Sequence, residues 1–118
     1  MNIHMESQPK STMRYGTWGD WYFDDDGNLI IKVVNDEPGL PTEDHQFLVA
    51  LHELVEVWLC RHRGVTQQMV DEFDFSYNGN GEPGDEPDAP YRREHRFAML
   101  IEHLVAHELG LIGYGEIK

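Results

Sequence analysis

The chain has 118 residues, enough for one domain with one core, and 40% of them are hydrophobic, as a globular protein requires. Its 22 acidic residues against 9 Lys and Arg give a formal charge of −13, which excludes a phosphate-gripping nucleic-acid binder and a protein that docks on anionic membranes. One cysteine rules out an internal disulfide, and no run reaches the ~18 apolar residues of a membrane span, so a cytoplasmic protein is expected.

Residues 1–13 are polar, lack the apolar run of a signal peptide, and read as a flexible leader before a single domain over 14–118. Trp21-Tyr22-Phe23 and Leu29 to Val34 are strand candidates, joined by the turn Asp24-Asp25-Asp26-Gly27-Asn28. Leu29, Ile31 and Val33 would share one face of the return strand. Thr42 then caps a long helix over 43–63, with Glu43 and Asp44 at its positive end, Arg61, His62 and Arg63 at its negative end, and Gly64 after it. Apart from His52, Glu53 and Glu56, residues 47–60 are apolar on every side, the pattern of a core helix. Thr66 opens a short helix to about Phe73. Residues 74–90 form a long acidic loop, a candidate lid with Tyr91 at its hinge. A second long helix is expected over 90–109, capped by Asp88 and burying a face that includes Phe97, Ala98, Leu100, Ile101, Leu104, Val105 and Leu109. The expected fold is therefore α+β: a short antiparallel β-hairpin packed on two long helices, with the acidic loop between them.

His52 and Glu56 are four residues apart, so at ~100° per residue they lie one above the other on the first helix. An imidazole and a carboxylate at that spacing converge on one ion. Burying carboxylates among leucines and valines costs several kcal/mol each unless a cation or hydrogen bonds compensate. The expected ligands of a divalent ion, zinc by donor type, are His52, Glu56 and His95, with Glu53 as the catalytic base. Glu102, seven residues after His95 on the same stripe, would orient a ligating histidine. Tyr91 would support the site from the loop. Asp71 and Asp74 are weaker candidates for a third ligand. His103 and His107 read as exposed or capping, Glu94 as solvated, and Cys60 as a small core residue.

The chain resembles a family of small uncharacterised proteins encoded by tailed bacteriophages and prophages. The resemblance runs from about residue 19 to 110 through Gly19-Asp20-Trp21-Tyr22, Leu51-His52-Glu53-Leu54-Val55-Glu56, Leu59-Cys60, Val70-Asp71 and Phe73-Asp74. It is most specific at Glu82-Pro83-Gly84-Asp85, Pro87, Ala89-Pro90-Tyr91 and Glu94-His95, and departs at Asp88, where Arg is the more familiar residue. It implies a phage origin, and so the cytoplasm of an infected or lysogenic bacterium, without implying a mechanism. A second likeness, to zincins with their His-Glu-x-x-His helix, rests on His52 and Glu53 and departs at Glu56.

Two functions follow as expectations. One is a metal-binding, hydrolase-like domain. The other is an acidic phage interaction protein that mimics a polyanion or occupies a basic host protein, its His/Glu cluster being structural. The very apolar first helix also suggests a homodimer.

Overall fold

In a computed structural model, residues 1–111, 113 and 114 are described. The fold is α+β, with β1 Ile3–Gln8, β2 Gly19–Phe23, β3 Leu29–Val34, α1 Glu43–Arg63, α2 Gln67–Ser76 and α3 Arg92–Glu108, and 3-10 turns at Lys10–Thr12 and Pro83–Asp85. Among the described residues no helix is long and apolar enough to cross a membrane.

The sheet is mixed and three-stranded, in the order β1-β3-β2. β2 and β3 form the expected antiparallel pair, with Trp21 opposite Ile31. Their turn is set by Asp24, whose Oδ1 accepts the backbone N–H groups of Asp26 and Asn28 at 3.0 and 2.8 Å, and by Gly27 at φ 79°. The sheet is nevertheless more than a hairpin. Part of the segment expected to be a leader forms β1, which runs parallel to β3 from Ile3 opposite Leu29 to Gln8 opposite Val34. Five of its six side chains are exposed, so the strand is held by backbone hydrogen bonds and a Lys32–Glu6 ion pair at 3.1 Å. A strand that buries no face has no apolar alternation to betray it.

β3 is the centre of the sheet, and its Leu29, Ile31, Val33 and Val34 are buried. Leu29, Ile31 and Val33 pack with Trp21, Leu40, Val57, Cys60 and Val70 into the core. α1 begins and ends where its caps dictate: Thr42 Oγ1 accepts the His45 backbone N–H at 3.3 Å, and Gly64 takes the left-handed conformation at φ 76°. α2 begins at Thr66 in the same way and reaches Ser76, three residues beyond expectation. The remaining stretch before α3 contains the Pro83–Asp85 turn, so it is partly structured. α3 starts at Arg92 with Tyr91 as its cap residue, and Asp88 lies outside it.

Two expectations about helix faces are corrected. α1 is not buried all round, because Phe47 and Trp58 are about half exposed, at 52% and 49%. On α3 the large apolar residues Phe97, Leu100, Leu104 and Leu109 are exposed, while Glu94, His95, Ala98 and Ala106 face inward. The small alanines let α3 lie close against the protein, and the polar residues between them find partners inside it.

β3 and β1 should therefore differ sharply in sensitivity. Ile31→Ala is expected to cost about 2–5 kcal/mol of unfolding free energy in a denaturant titration, whereas Met5→Ala, on an exposed edge, should stay within about 0.5 kcal/mol. Equal losses at the two positions would contradict this layering.

Candidate metal centre

The centre lies where α1, α3 and β2 meet, on the wall of a cavity of about 560 Å³. His52 and Glu56 come from successive turns of α1, and His95 comes from the first turn of α3, 43 residues after His52. All three are buried. His52 Nε2, Glu56 Oε2 and His95 Nδ1 form a triangle with every side 3.1 Å. Donor atoms sharing one tetrahedral zinc, with bonds of ~2.0–2.3 Å, stand roughly 3–4 Å apart. The three groups thus form a set that could hold a metal ion.

Each is oriented by a further partner. The other ring nitrogen of His52, Nδ1, lies 2.7 Å from Glu102 Oε1, so an Nδ1–H donor there leaves Nε2 with its lone pair facing the triangle. The opposite oxygen of Glu102 accepts the Tyr114 hydroxyl. Glu56 Oε1 accepts the indole N–H of Trp21 at 3.0 Å, which turns Oε2 toward the histidines. His95 is fixed by packing. Gly84, in the Pro83–Asp85 turn, lies so close to the imidazole that a Cβ there would be 2.5 Å from its Cγ. Tyr91 meets the same ring edge-on, with centroids 6.1 Å apart. The outer nitrogen, Nε2, is buried without a hydrogen bond, although Asp85 Oδ1 stands 3.2 Å away; the separation suits an ion pair, but the direction does not suit a hydrogen bond.

The triangle needs a proton or a metal cation at its centre. With Nδ1–H of His52 turned to Glu102, two imidazole nitrogens and a carboxylate oxygen direct electron pairs at one another, and only a proton or a metal cation between them relieves the repulsion. Burial alone would lower the His52 pKa, but hydrogen bonds to Glu102 and Glu56 overcome it and hold the ring well above the usual histidine range. Burial likewise opposes ionisation of Glu56, and the hydrogen bonds from His52 and His95 prevail, taking it to about 2. Glu53 goes the other way: burial, then repulsion by Glu56, push it well above the usual carboxylate range. Its Oε2 lies 3.9 Å from His52 Nε2, beyond hydrogen-bond length. Gly19 of β2 packs directly over Glu53, since a Cβ on Gly19 would be 2.8 Å from the Glu53 Cγ.

Other sequence candidates stand elsewhere. Asp71 is held by Arg14, whose Nη1 and Nη2 reach it at 3.1 and 3.0 Å, while Arg14 also grips Asp20 through Nε at 2.7 Å. Asp74 accepts the Tyr91 hydroxyl at 2.6 Å. Neither joins the triangle. Glu94, expected to be solvated, is buried and paired with Arg63 Nη1 at 3.1 Å, because the basic end of α1 closes over the first turn of α3. His103 borders the cavity beside Tyr114, and His107 is exposed. Cys60 is fully buried, and desolvation raises its thiol pKa.

Trp21, Gly84 and Tyr114 are the contributors that the sequence reading missed. Trp21 had a usable signal: a tryptophan on the inner face of a strand needs an acceptor for its N–H, and the buried acids of α1 offered one. Comparison with known protein families, with curated proteins and with solved structures returns no match, so the chemistry of the site is read from its geometry.

Asp74 supplies a pH signature outside the triangle, although the charge of Glu56 contributes to it. Burial raises its carboxyl from 3.8 to about 7. Below pH ~4 folded and unfolded chains both hold the proton. Between there and pH ~7 only the folded chain does, so the stability it contributes falls as pH rises through that window. Asp74→Asn should flatten this part of the stability curve, by on the order of 1–2 kcal/mol once water in the cavity is allowed for. A wild-type-minus-variant difference that does not change with pH between 4 and 7 in denaturant titrations would refute the assignment.

Proposed function

We propose that the protein binds a divalent metal ion, zinc, through His52, Glu56 and His95, and that the site is hydrolytic. The observation that carries this reading is the 3.1 Å triangle of inward-facing donors, two nitrogens and one carboxylate oxygen. That donor set suits zinc better than magnesium or calcium, which take oxygen ligands. Three protein ligands leave a position open, and zinc lowers the pKa of water bound there to ~7. Glu53 is the base in this reading. It faces the cavity next to His52, and a divalent charge held by His52, Glu56 and His95 would counter the burial and the Glu56 repulsion that keep Glu53 protonated, favouring the carboxylate form that accepts a proton. Glu102 fixes the His52 tautomer and raises its basicity, with Tyr114 holding Glu102 in turn. Tyr91 braces His95. A phage origin and a cytoplasmic setting belong to the same reading. They are supported by the run of residues from Gly19 to Gly110 and by the lone, buried cysteine.

The test is a set of melting curves on protein stripped of metal, then supplied with zinc or with chelator. A ligand bound only by the folded state stabilises it by about 2.7 kcal/mol at 100 times its Kd, which in a domain of this size raises Tm by several degrees. The rise should disappear with chelator and in His52→Ala. Glu102→Gln should keep binding but weaken it roughly 10–100-fold. Glu53→Gln should retain zinc and lose hydrolysis of any substrate that the wild type turns over. Identical midpoints for stripped, zinc-loaded and chelated wild type would leave the alternative reading: an acidic, non-enzymatic interaction protein whose His/Glu cluster is structural.

A further inference from the structure

The chemistry of the remaining cavity wall bears on what enters it, and this step rests on the hydrolytic reading above. Among the described residues that line the cavity there is no lysine or arginine. Away from the triangle, the wall therefore offers an anionic head group no lysine or arginine to hold it. What it offers is negative. Glu53 lines the cavity, is only 8% exposed, and makes no side-chain hydrogen bond among the described residues. A buried carboxyl group without a partner is costly, and an incoming hydrogen-bond donor relieves it, a cationic donor most of all. Glu82, on the segment leading into the Pro83–Asp85 turn, is solvent-exposed and also lines the cavity, and its side chain accepts no hydrogen bond among the described residues. Between the acids the wall is aromatic, with Trp18, Tyr91 and Tyr114. Trp18 is set against Gly39 so closely that a Cβ there would be 2.5 Å from its ring. Aromatic faces and carboxylates together are the surroundings that bind organic cations, through the ring quadrupole and through charge. The net charge of −13 adds a long-range field of the same sign.

We infer that the cavity receives a substrate bearing an ammonium or guanidinium group, with Glu82 as its anchoring carboxylate and the aromatic wall as its bed. The reactive bond then lies toward the triangle and Glu53. Substrates of this class include lysine and arginine side chains and free amino termini.

Benzamidine, benzamide and benzoate test this directly, because they share a ring and differ in the charge of one planar head group. They would be titrated calorimetrically into wild type, Glu82→Gln and His52→Ala, with metal content read on the same samples. Benzamidine should bind wild type at least roughly tenfold more tightly than benzamide, with benzoate weakest. The preference should persist in metal-free His52→Ala, or in chelated wild type if that variant does not fold, because it comes from the wall and not from the triangle. It should fall toward unity in Glu82→Gln, whose metal content stays that of the wild type. No measurable benzamidine binding, benzamide or benzoate binding as tightly as benzamidine, or an unchanged preference in Glu82→Gln would each overturn the inference. Wild type that takes up no zinc yet keeps the benzamidine preference would sink the metal reading alone.

Discussion

A carboxylate taken out of water into a protein interior loses several kcal/mol of hydration, and it stays ionised only where hydrogen bonds and positive charge replace that water. Glu56 is such a group, and the elements around it are arranged to meet its needs. β2 brings the Trp21 N–H, α1 brings His52 one turn back, and α3 brings His95. Each of the two carboxylate oxygens is engaged, one by the indole and the other by two imidazoles. Because these partners come from a strand and two helices, the group that is costliest to bury also fixes how those elements dock. Removing any one partner leaves a buried acid or base unpaired, which is more damaging than losing a surface contact.

The same demand explains why α3 presents the less apolar of its faces to the protein. Its inward side carries Glu94 and His95 beside Ala98 and Ala106, while Phe97, Leu100 and Leu104 remain outside. Hydrophobic burial alone would turn the helix the other way. The polar pairings resist that rotation: His95 belongs to the triangle, Glu94 is gripped by Arg63, and Glu102 holds His52. Gly84 completes the fit, since no larger residue there would let the turn lie flat on the His95 ring. The resulting apolar exterior is a consequence of building a polar site inside a small domain.

What the sequence revealed of this arrangement followed from local rules. Helix caps such as Thr42 and Gly64, the Asp24–Asn28 turn and the i, i+4 placement of His52 and Glu56 are determined within a few residues, and the chain states them openly. Grouping His95 with His52 and Glu56 followed from its place, with Glu102, at the border of the α3 face expected to be buried, and it held although most of that face is exposed. What stayed hidden was non-local or backbone-borne. β1 has exposed side chains and pairs through its peptide groups, so its pattern is that of a polar leader. Glu94 has the spacing of a solvated residue and is buried because Arg63, 31 positions earlier, reaches over it. The orientation of α3 was misread because apolar periodicity was taken as the stronger force, and at this site polar satisfaction outweighs it.

The departure from a His-Glu-x-x-His helix has its own logic. In that motif one helix supplies two imidazoles, so much of the site exists as soon as the helix forms. Here the second position is Glu56, and the second imidazole arrives from α3. The ligand set is therefore complete only when the two helices have docked, which couples any metal binding to the tertiary fold rather than to α1 alone. The substitution also adds a negative charge at the centre, so without a metal the triangle competes strongly for protons, and His52 is held well above the usual histidine range. A proton or a metal cation between the three donors is thus a structural requirement of this interior. Whether protons or a divalent ion supply it sets the boundary between a polar core and a reactive site, and the 3.1 Å spacing of the three donor atoms accommodates either. A divalent ion held by His52, Glu56 and His95 would also supply a polarised water beside Glu53, which has no hydrogen-bonding partner of its own among the described residues.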